Sequence, residues 1–112
     1  MARRVRFALI GASSVALHHG RTLQRCPGVE LVQVYSRDPD RARRLAEALG
    51  VSWTTRYGEI LDDRRIEALD IVTEPRRHVE LALPAWQHGK HLLIEKPLDE
   101  DLEAALRLTE LV

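Results

Sequence analysis

The residues that say most about the architecture of this chain are 5–16, which read VRFALIGASSVA. Val5–Ile10 form a short apolar run, which is typical of a strand buried on both faces of a parallel sheet. Gly11 follows directly, and a helical pattern then covers Val15–Arg25, where Gly20 is expected to weaken the helix by about 1 kcal/mol. The stretch therefore predicts a strand, a tight turn and a helix.

The same alternation of strands and helices continues along the chain. Its further elements are predicted strands at 30–35, 52–55, 68–73 and 91–95, and predicted helices at 40–49, 57–61, 77–87 and from Asp99 or Asp101 to Val112. Pro84 predicts a kink or a first-turn interruption in its helix. The spacing indicates βαβ units. We therefore expect an α/β fold with three αβα layers, a doubly wound, Rossmann-like parallel sheet of about five strands.

Composition and charge limit the class of protein. The chain has 112 residues, with 17 Lys and Arg against 17 Asp and Glu, and 45% of its residues are hydrophobic. This is the composition of an ordinary globular domain, and the length predicts a single domain over residues 1–112. The balanced charge argues against nucleic-acid binding, and the apolar runs are shorter than the ~18 residues of a membrane span. With Cys26 as the single cysteine, we expect a cytoplasmic protein.

The loop after the first strand lies where a dinucleotide fingerprint, G-x-G-x-x-G/A, belongs. Gly11 supplies the tight turn and Ala16 the small last residue, but Ser13 replaces the glycine that lets backbone approach a pyrophosphate. The Ser13 hydroxyl can hydrogen-bond a phosphate oxygen, and the N–H groups at the helix start form an anion site. A tight turn without a ligand is the alternative. The cofactor contacts expected in this loop are Gly11, Ala12, Ser13, Ser14 and Val15.

The loop after the second strand bears on the choice of cofactor. An acidic residue at this position accepts the ribose 2′-OH of NAD, whereas an arginine binds the 2′-phosphate of NADP. Ser36 and Arg37 end the strand, and Arg41 follows one helical turn beyond Asp38. Asp38 precedes Pro39 and is expected to be a helix N-cap instead of a ribose ligand. We therefore predict NADP over NAD, with contacts from Ser36, Arg37 and Arg41; a solvated Arg37 is the alternative.

Two later segments make a family resemblance specific. Residues 73–78, TEPRRH, follow the fourth predicted strand, and residues 89–98, GKHLLIEKPL, contain Glu95-Lys96-Pro97. Together with the glycine loop, the Ser36-Arg37 strand end and the helix DPDRARRLAEALG at 38–50, they occur in a characteristic order. The chain resembles, over nearly all of residues 4–112, the NAD(P)-binding Rossmann domain of the glucose–fructose oxidoreductase / inositol dehydrogenase (Gfo/Idh/MocA-type) family.

The resemblance implies an oxidoreductase that uses NADP or NAD and acts on a hydroxyl or carbonyl group of a sugar, polyol or similar substrate. It implies that Lys96 is the catalytic residue, beside the nicotinamide and the substrate hydroxyl, flanked by Glu95 and Pro97 in the cofactor site. The third loop departs from the family's Thr-Pro-Asn, because a glutamate and a proline stand where proline and asparagine are expected. The cofactor contacts implied there are Thr73, Glu74, Pro75 and His78.

Family members continue into a second α/β domain that binds substrate and mediates oligomerisation. The 112 residues are expected to lack this C-terminal domain, so we predict that they are not catalytically competent alone and meet a small-molecule substrate only if that domain is supplied. The exposed sheet edge that remains predicts a homo-oligomer.

Other classes of protein are also considered. Ser13, Glu74 and Pro75 favour an alternative, a non-catalytic Rossmann-fold module for binding or protein interaction. A phosphoacceptor receiver domain is excluded, because apolar Ile10 and Gly11 stand where its acidic pair belongs. The spacing of the neighbouring histidines and Cys26 fits no metal motif, so no metal site is predicted.

Overall fold

The computed structural model describes residues 3–111; the predicted helix end at Val112 lies outside them. The strands are β1 (Val5–Ile10), β2 (Val29–Tyr35), β3 (Ser52–Thr54), β4 (Ala68–Ile71) and β5 (His91–Ile94). The helices are α1 (Ala16–Arg25), α2 (Pro39–Leu49), α3 (Tyr57–Asp62), α4 (His78–Gln87) and α5 (Leu102–Leu111), with a 3₁₀ turn at Pro75–Arg77. Each predicted element is found, with ends that coincide with the prediction or differ from it by up to three residues.

The order of the strands across the sheet is β3-β2-β1-β4-β5, and neighbouring strands are parallel. The chain moves outward from β1 to β3 and then crosses to β4 on the other side of β1. This order confirms the predicted doubly wound sheet and differs from the 2-1-3-4-5 order of receiver domains. The switch point, where such sheets bind their ligands, therefore lies between β1 and β4.

Helices cover both faces of the sheet and produce the predicted three layers. On one face, α1 and α2 pack over a buried cluster that contains Leu9 and Val34. On the other face, α3, α4 and α5 pack over a cluster that contains Ile10, Leu69 and Ile71. Successive residues of β1 thus enter opposite clusters, as alternation along a strand requires.

Local chemistry sets the ends of the elements near the switch point. Asp38 is the N-cap of α2, since its Oδ1 accepts from the N–H groups of Asp40 at 3.0 Å and Arg41 at 3.3 Å. This confirms the predicted cap. β4 ends at Ile71 instead of residue 73, because its neighbour β1 ends at Ile10 and offers the later residues no strand to pair with.

Two helices depart from simple expectation. Pro84 lies inside α4, which continues without a break from His78 to Gln87 although proline removes one helical hydrogen bond. Gly20 has a packing role in α1, which its poor helix propensity alone does not indicate. A Cβ at Gly20 would lie 2.5 Å from Cδ1 of Leu49, so the glycine allows α1 and α2 to approach closely.

None of the helices within residues 3–111 has the length and apolar character needed to cross a membrane.

Candidate functional site

Four loops meet at the carboxyl-terminal edge of the sheet, after β1, β2, β4 and β5. The N–H of Gly11 donates to the carbonyl of Tyr35 at 2.8 Å, which joins the first loop to the end of β2. Gly11 has a φ of +111°, and a Cβ there would lie 2.7 Å from Cγ2 of Thr73. Only glycine therefore fits the close approach between the first and third loops.

A cleft of about 120 Å³ opens between the first three of these loops. It brings together seven residues predicted from the sequence, and adds Tyr35, Asp38 and Arg77. The predicted residues that line it are Gly11, Ala12, Ser36, Arg37, Arg41, Thr73 and Glu74. Residues from three separate parts of the chain thus form one concave surface at the switch point.

The start of α1 suits a negatively charged ligand. Val15 is its N-cap, and among the described residues no side chain caps this helix and no acidic residue lies in its first turn. Free N–H groups at a helix start, together with the helix dipole, attract anions. The Oγ of Ser13 is buried and contacts no hydrogen-bond partner among residues 3–111. The helix start thus has no side-chain cap, although the N–H of Ala16 donates to the carbonyl of Ser13 at 3.1 Å, and the unpartnered hydroxyl belongs to the same loop.

The second loop presents arginines while its aspartate is already engaged. The Arg37 side chain is 65% exposed, and its Nη2 lies 3.5 Å from Oε1 of Glu74. Ser36 is buried, and its Oγ accepts from the N–H of Asp38 at 3.2 Å. Arg41 lies one turn into α2, with Nε 3.8 Å from Oδ2 of Asp38. The guanidinium groups therefore flank the cleft, and the carboxylate of Asp38 caps the helix.

The third loop is held from beneath by His78. This side chain is fully buried, and its ring nitrogens lie 2.8 Å from the carbonyl oxygens of Thr73 and Pro97. A neutral ring donates to one of these oxygens, and only a doubly protonated ring donates to both. His78 thus links the third loop to the fourth and lies behind the cleft. Because its ring contacts a backbone carbonyl oxygen of each loop, it fixes the positions of both loops. Pro75 opens the 3₁₀ turn that leads into α4.

The fourth loop extends β5 and ends in exposed residues. The N–H of Glu95 donates to the carbonyl of Ile71 at 3.0 Å, which continues the pairing with β4. Lys96 and Pro97 are exposed beyond it, and the peptide bond between them is cis. Lys96 is thereby placed on the opposite side of β1 from Arg37, at the same edge of the sheet.

Sequence reasoning missed a contact that joins α1 to the fourth loop. Nδ1 of His19 lies 2.8 Å from Oδ2 of Asp70 in β4, and Nε2 lies 2.7 Å from Oε2 of Glu95. The signal was a carboxylate inside the apolar strand ALDIVT, because a buried charge requires a partner. Across residues 3–111, no group of His, Cys, Asp and Glu side chains is arranged to hold a metal ion.

The burial of this cluster changes its acidity. Burial alone lowers the pKa of His19, but the hydrogen bonds and charges of Asp70 and Glu95 outweigh that effect and raise the pKa above its ordinary value. Burial raises the pKa of Asp70, and the nearby charge of Glu95 adds to this, against the opposing effect of His19. His19 and Asp70 therefore both hold a proton more tightly than the isolated side chains would.

A larger surface hollow, of about 540 Å³, lies at the amino-terminal ends of β4 and β5. Its central side chain, Lys90, donates from Nζ to the carbonyl oxygens of Asp63 and Ile66, each at 2.7 Å. The ammonium group thus satisfies backbone oxygens of the preceding loop. Despite its size, this hollow is a weaker ligand site than the cleft, because parallel sheets bind ligands at their carboxyl-terminal ends.

Comparison with known proteins agrees with this geometry. A model of the Gfo/Idh/MocA type, described as an oxidoreductase family with an NAD-binding Rossmann fold, matches residues 5–112. An uncharacterised oxidoreductase of Rhizobium meliloti is 40% identical over 108 residues, which cover 95% of this chain and 32% of that protein. The scyllo-inositol 2-dehydrogenase (NAD(+)) of Bacillus subtilis is 33% identical over 114 residues, which cover 100% of this chain and 33% of that protein.

A solved structure gives the same result. KijD10, a 3-ketoreductase from Actinomadura kijaniata solved in complex with NADP, superposes with a TM-score of 0.88 at 30% identity, over 96% of this chain and 35% of that one. The chain therefore spans about a third of the length of the relatives that it matches. The family resemblance predicted from the sequence is confirmed: the chain belongs to the Gfo/Idh/MocA oxidoreductase family, with an NAD-binding Rossmann fold.

Proposed function

We propose that this member of the oxidoreductase family binds NADP(H) in preference to NAD(H), along the carboxyl-terminal edge of its sheet. The site would serve the oxidation or reduction of a hydroxyl or carbonyl group on a sugar, polyol or similar small molecule. The names of an inositol dehydrogenase and of a 3-ketoreductase solved with NADP support this substrate class. Because those relatives are about three times as long, we propose that residues 1–112 bind cofactor without turning over substrate by themselves.

The proposed preference for NADP is supported chiefly by the role of Asp38 as the N-cap of α2. Its Oδ1 accepts from two N–H groups of α2, which holds the carboxylate at the helix start and leaves only Oδ2 to accept from a ribose 2′-OH. Arg37 instead presents a mostly exposed guanidinium group at the cleft. A guanidinium can donate two parallel hydrogen bonds to a phosphate, which a ribose hydroxyl cannot accept in the same way. Arg41 adds a second positive charge at the same end.

The start of α1 would hold the pyrophosphate. Its uncapped N–H groups and the hydroxyl of Ser13 are the donors that an anion in this loop requires. Gly11 lets the backbone of the first loop run close to Thr73, which leaves the loop compact. The residues present therefore fit a dinucleotide even though Ser13 replaces a glycine of the fingerprint.

Lys96 would lie at the nicotinamide end. A dinucleotide that crosses the switch point with its adenosine half at β2 extends toward β4 and β5. When bound, nicotinamide supplies or accepts the hydride. The role we propose for Lys96 is to polarise the substrate oxygen and to exchange a proton at Nζ. Exposed at the sheet edge, its ammonium group is accessible to such a substrate.

The exchange Arg37→Ala tests the cofactor preference, with Arg43→Ala as the matched control. Arg43 is also an exposed arginine, but it pairs with Asp40 on α2 and lies outside the cleft. Loss of Arg37 should weaken NADPH binding by about 1–2 kcal/mol, since a charge-assisted hydrogen bond is lost. NADH binding should change little in either variant. Calorimetric titration of both dinucleotides into the wild type and the two variants measures these effects.

An unchanged preference in Arg37→Ala would remove this residue from the phosphate site. Failure of the wild type to bind either dinucleotide would instead favour a module that has kept the fold for another interaction.

We also propose that the chain forms a homo-oligomer. β5 lies at one edge of the sheet, and its Leu93 is 49% exposed. Unpaired backbone groups and apolar side chains on an edge strand favour pairing with another chain.

A further inference from the structure

His19 lies between two carboxylates that differ in their exposure. Its Nδ1 faces Asp70, whose side chain is 1% exposed, and its Nε2 faces Glu95, whose side chain is 35% exposed. Carboxylates only accept hydrogen bonds, so both contacts are hydrogen bonds only when both ring nitrogens carry protons. The three side chains thus form a connected path from the interior of the sheet to the fourth loop.

The surroundings of His19 favour a positive charge on the ring. The second oxygen of Asp70, Oδ1, contacts no donor among residues 3–111, so His19 is the donor that this buried carboxylate depends on. A buried carboxylate is stabilised far more by a charged donor than by a neutral one. The pocket beside the ring is also lined by Thr22, Leu23 and Leu93, which carry no charge. The neighbouring His18 lines it as well. The charged groups that face His19 are therefore Asp70 from β4 and Glu95 from the loop after β5.

Protonation of His19 changes the charge at one end of the proposed cofactor site. The cluster of His19, Asp70 and Glu95 has a formal charge of −1 with a protonated ring and −2 with a neutral ring. Glu95 directly precedes Lys96, so this charge lies beside the proposed position of the nicotinamide. The oxidised nicotinamide ring is a cation and the reduced ring is neutral. A more negative cluster therefore stabilises the oxidised form relative to the reduced one.

We infer that His19 is a positioning residue that holds Glu95 and, through its protonation, sets how strongly the site prefers oxidised over reduced nicotinamide. The inference rests on the proposed function, because it needs the nicotinamide half of the cofactor beside Glu95. The charge of the cluster gives the direction of the effect. As pH rises through the pKa of His19, which its two carboxylate partners raise above the ordinary value, the ring loses its proton and the preference for the oxidised form increases.

The test compares the affinities for NADP⁺ and NADPH between about pH 6 and about pH 9. The 2′-phosphate is common to both forms, so its own titration cancels in the ratio of the two dissociation constants. In the wild type, the ratio of the NADPH constant to the NADP⁺ constant should rise roughly threefold to tenfold across this range. It should stay nearly constant in His19→Gln. The matched control is His18→Gln, which removes the adjacent histidine of α1 and should behave as the wild type does.

The possible results separate the inference from the proposed function. A ratio that is flat in the wild type, or that rises equally in His19→Gln, overturns the inference while dinucleotide binding itself stands. Binding of neither dinucleotide overturns the proposed function and the inference with it.

A second variant keeps the test decisive if His19→Gln does not fold. Asp70→Asn removes the buried charge, so the pKa of His19 should fall and the rise in the ratio should move to lower pH. NMR titration of the histidine rings reports the same pKa without cofactor. An unmoved His19 titration in Asp70→Asn would contradict the proposed coupling.

Discussion

At the scale of single residues, Glu74 and Arg37 face each other across the mouth of the cleft. Glu74 is one of the two residues that depart from the family's Thr-Pro-Asn, and its Oε1 lies 3.5 Å from Nη2 of Arg37. Their side chains are 45% and 65% exposed, so solvent limits this pair to about 1 kcal/mol or less. A phosphate that binds Arg37 must nevertheless displace this carboxylate. Glu74 therefore competes with the proposed ligand for the same guanidinium group.

We predict that Glu74→Gln tightens NADPH binding by up to about fivefold and leaves NADH binding nearly unchanged, because Arg37 loses a competing anion. Calorimetric titration measures both affinities, and Glu47→Gln, an exposed carboxylate on α2, is the matched control. Weaker binding of both dinucleotides in Glu74→Gln would mean that this carboxylate contacts the cofactor itself.

At the scale of elements, local patterns were sufficient to locate strands and helices, but contacts between elements were not visible in them. The N-cap of α2, Asp38, follows from a few adjacent residues and was predicted correctly. The contact of His19 with Asp70 and Glu95 joins α1, β4 and the loop after β5, across 51 and 76 positions of the chain. Gly20 presents the same difficulty, because its packing partner Leu49 belongs to another helix.

Gly20→Ala and Gly58→Ala separate helix propensity from packing. Both glycines lie inside helices, where alanine is favoured by up to about 1 kcal/mol. A Cβ at Gly58 meets no atom within 4 Å, so Gly58→Ala should be more stable than the wild type. A Cβ at Gly20 meets buried Leu49, and overpacking should leave this variant about 1 kcal/mol less stable than the wild type. Urea denaturation measures both changes, and a stabilised Gly20→Ala would show that α1 and α2 separate easily.

At the scale of the whole molecule, the doubly wound sheet could be predicted because each βαβ unit has a local signature and connections between parallel strands are right-handed. The position of the cleft followed from the same rule, since ligands bind at the switch point. The details of the site could not be predicted in this way. Whether Glu74 faces Arg37 depends on side-chain geometry between two loops that are distant in sequence.

The exposed edge of the sheet leads to a prediction for the molecule as a whole. We expect the sedimentation coefficient of the chain to increase with protein concentration, because β5 and its half-exposed Leu93 can pair with a second copy. Leu93→Lys should reduce this association, since a charge on an edge strand opposes pairing. A single species of monomeric size at all concentrations would contradict the proposed oligomer.

We propose that a dinucleotide binds along the carboxyl-terminal edge of the sheet, from Arg37 to Lys96. The most direct measurement is the mapping of backbone amide shifts by NMR as NADP⁺ is added to the chain. We predict that the largest changes occur in the four loops after β1, β2, β4 and β5, together with the start of α1. Changes confined to the hollow around Lys90, or no changes at saturating NADP⁺, would contradict the account.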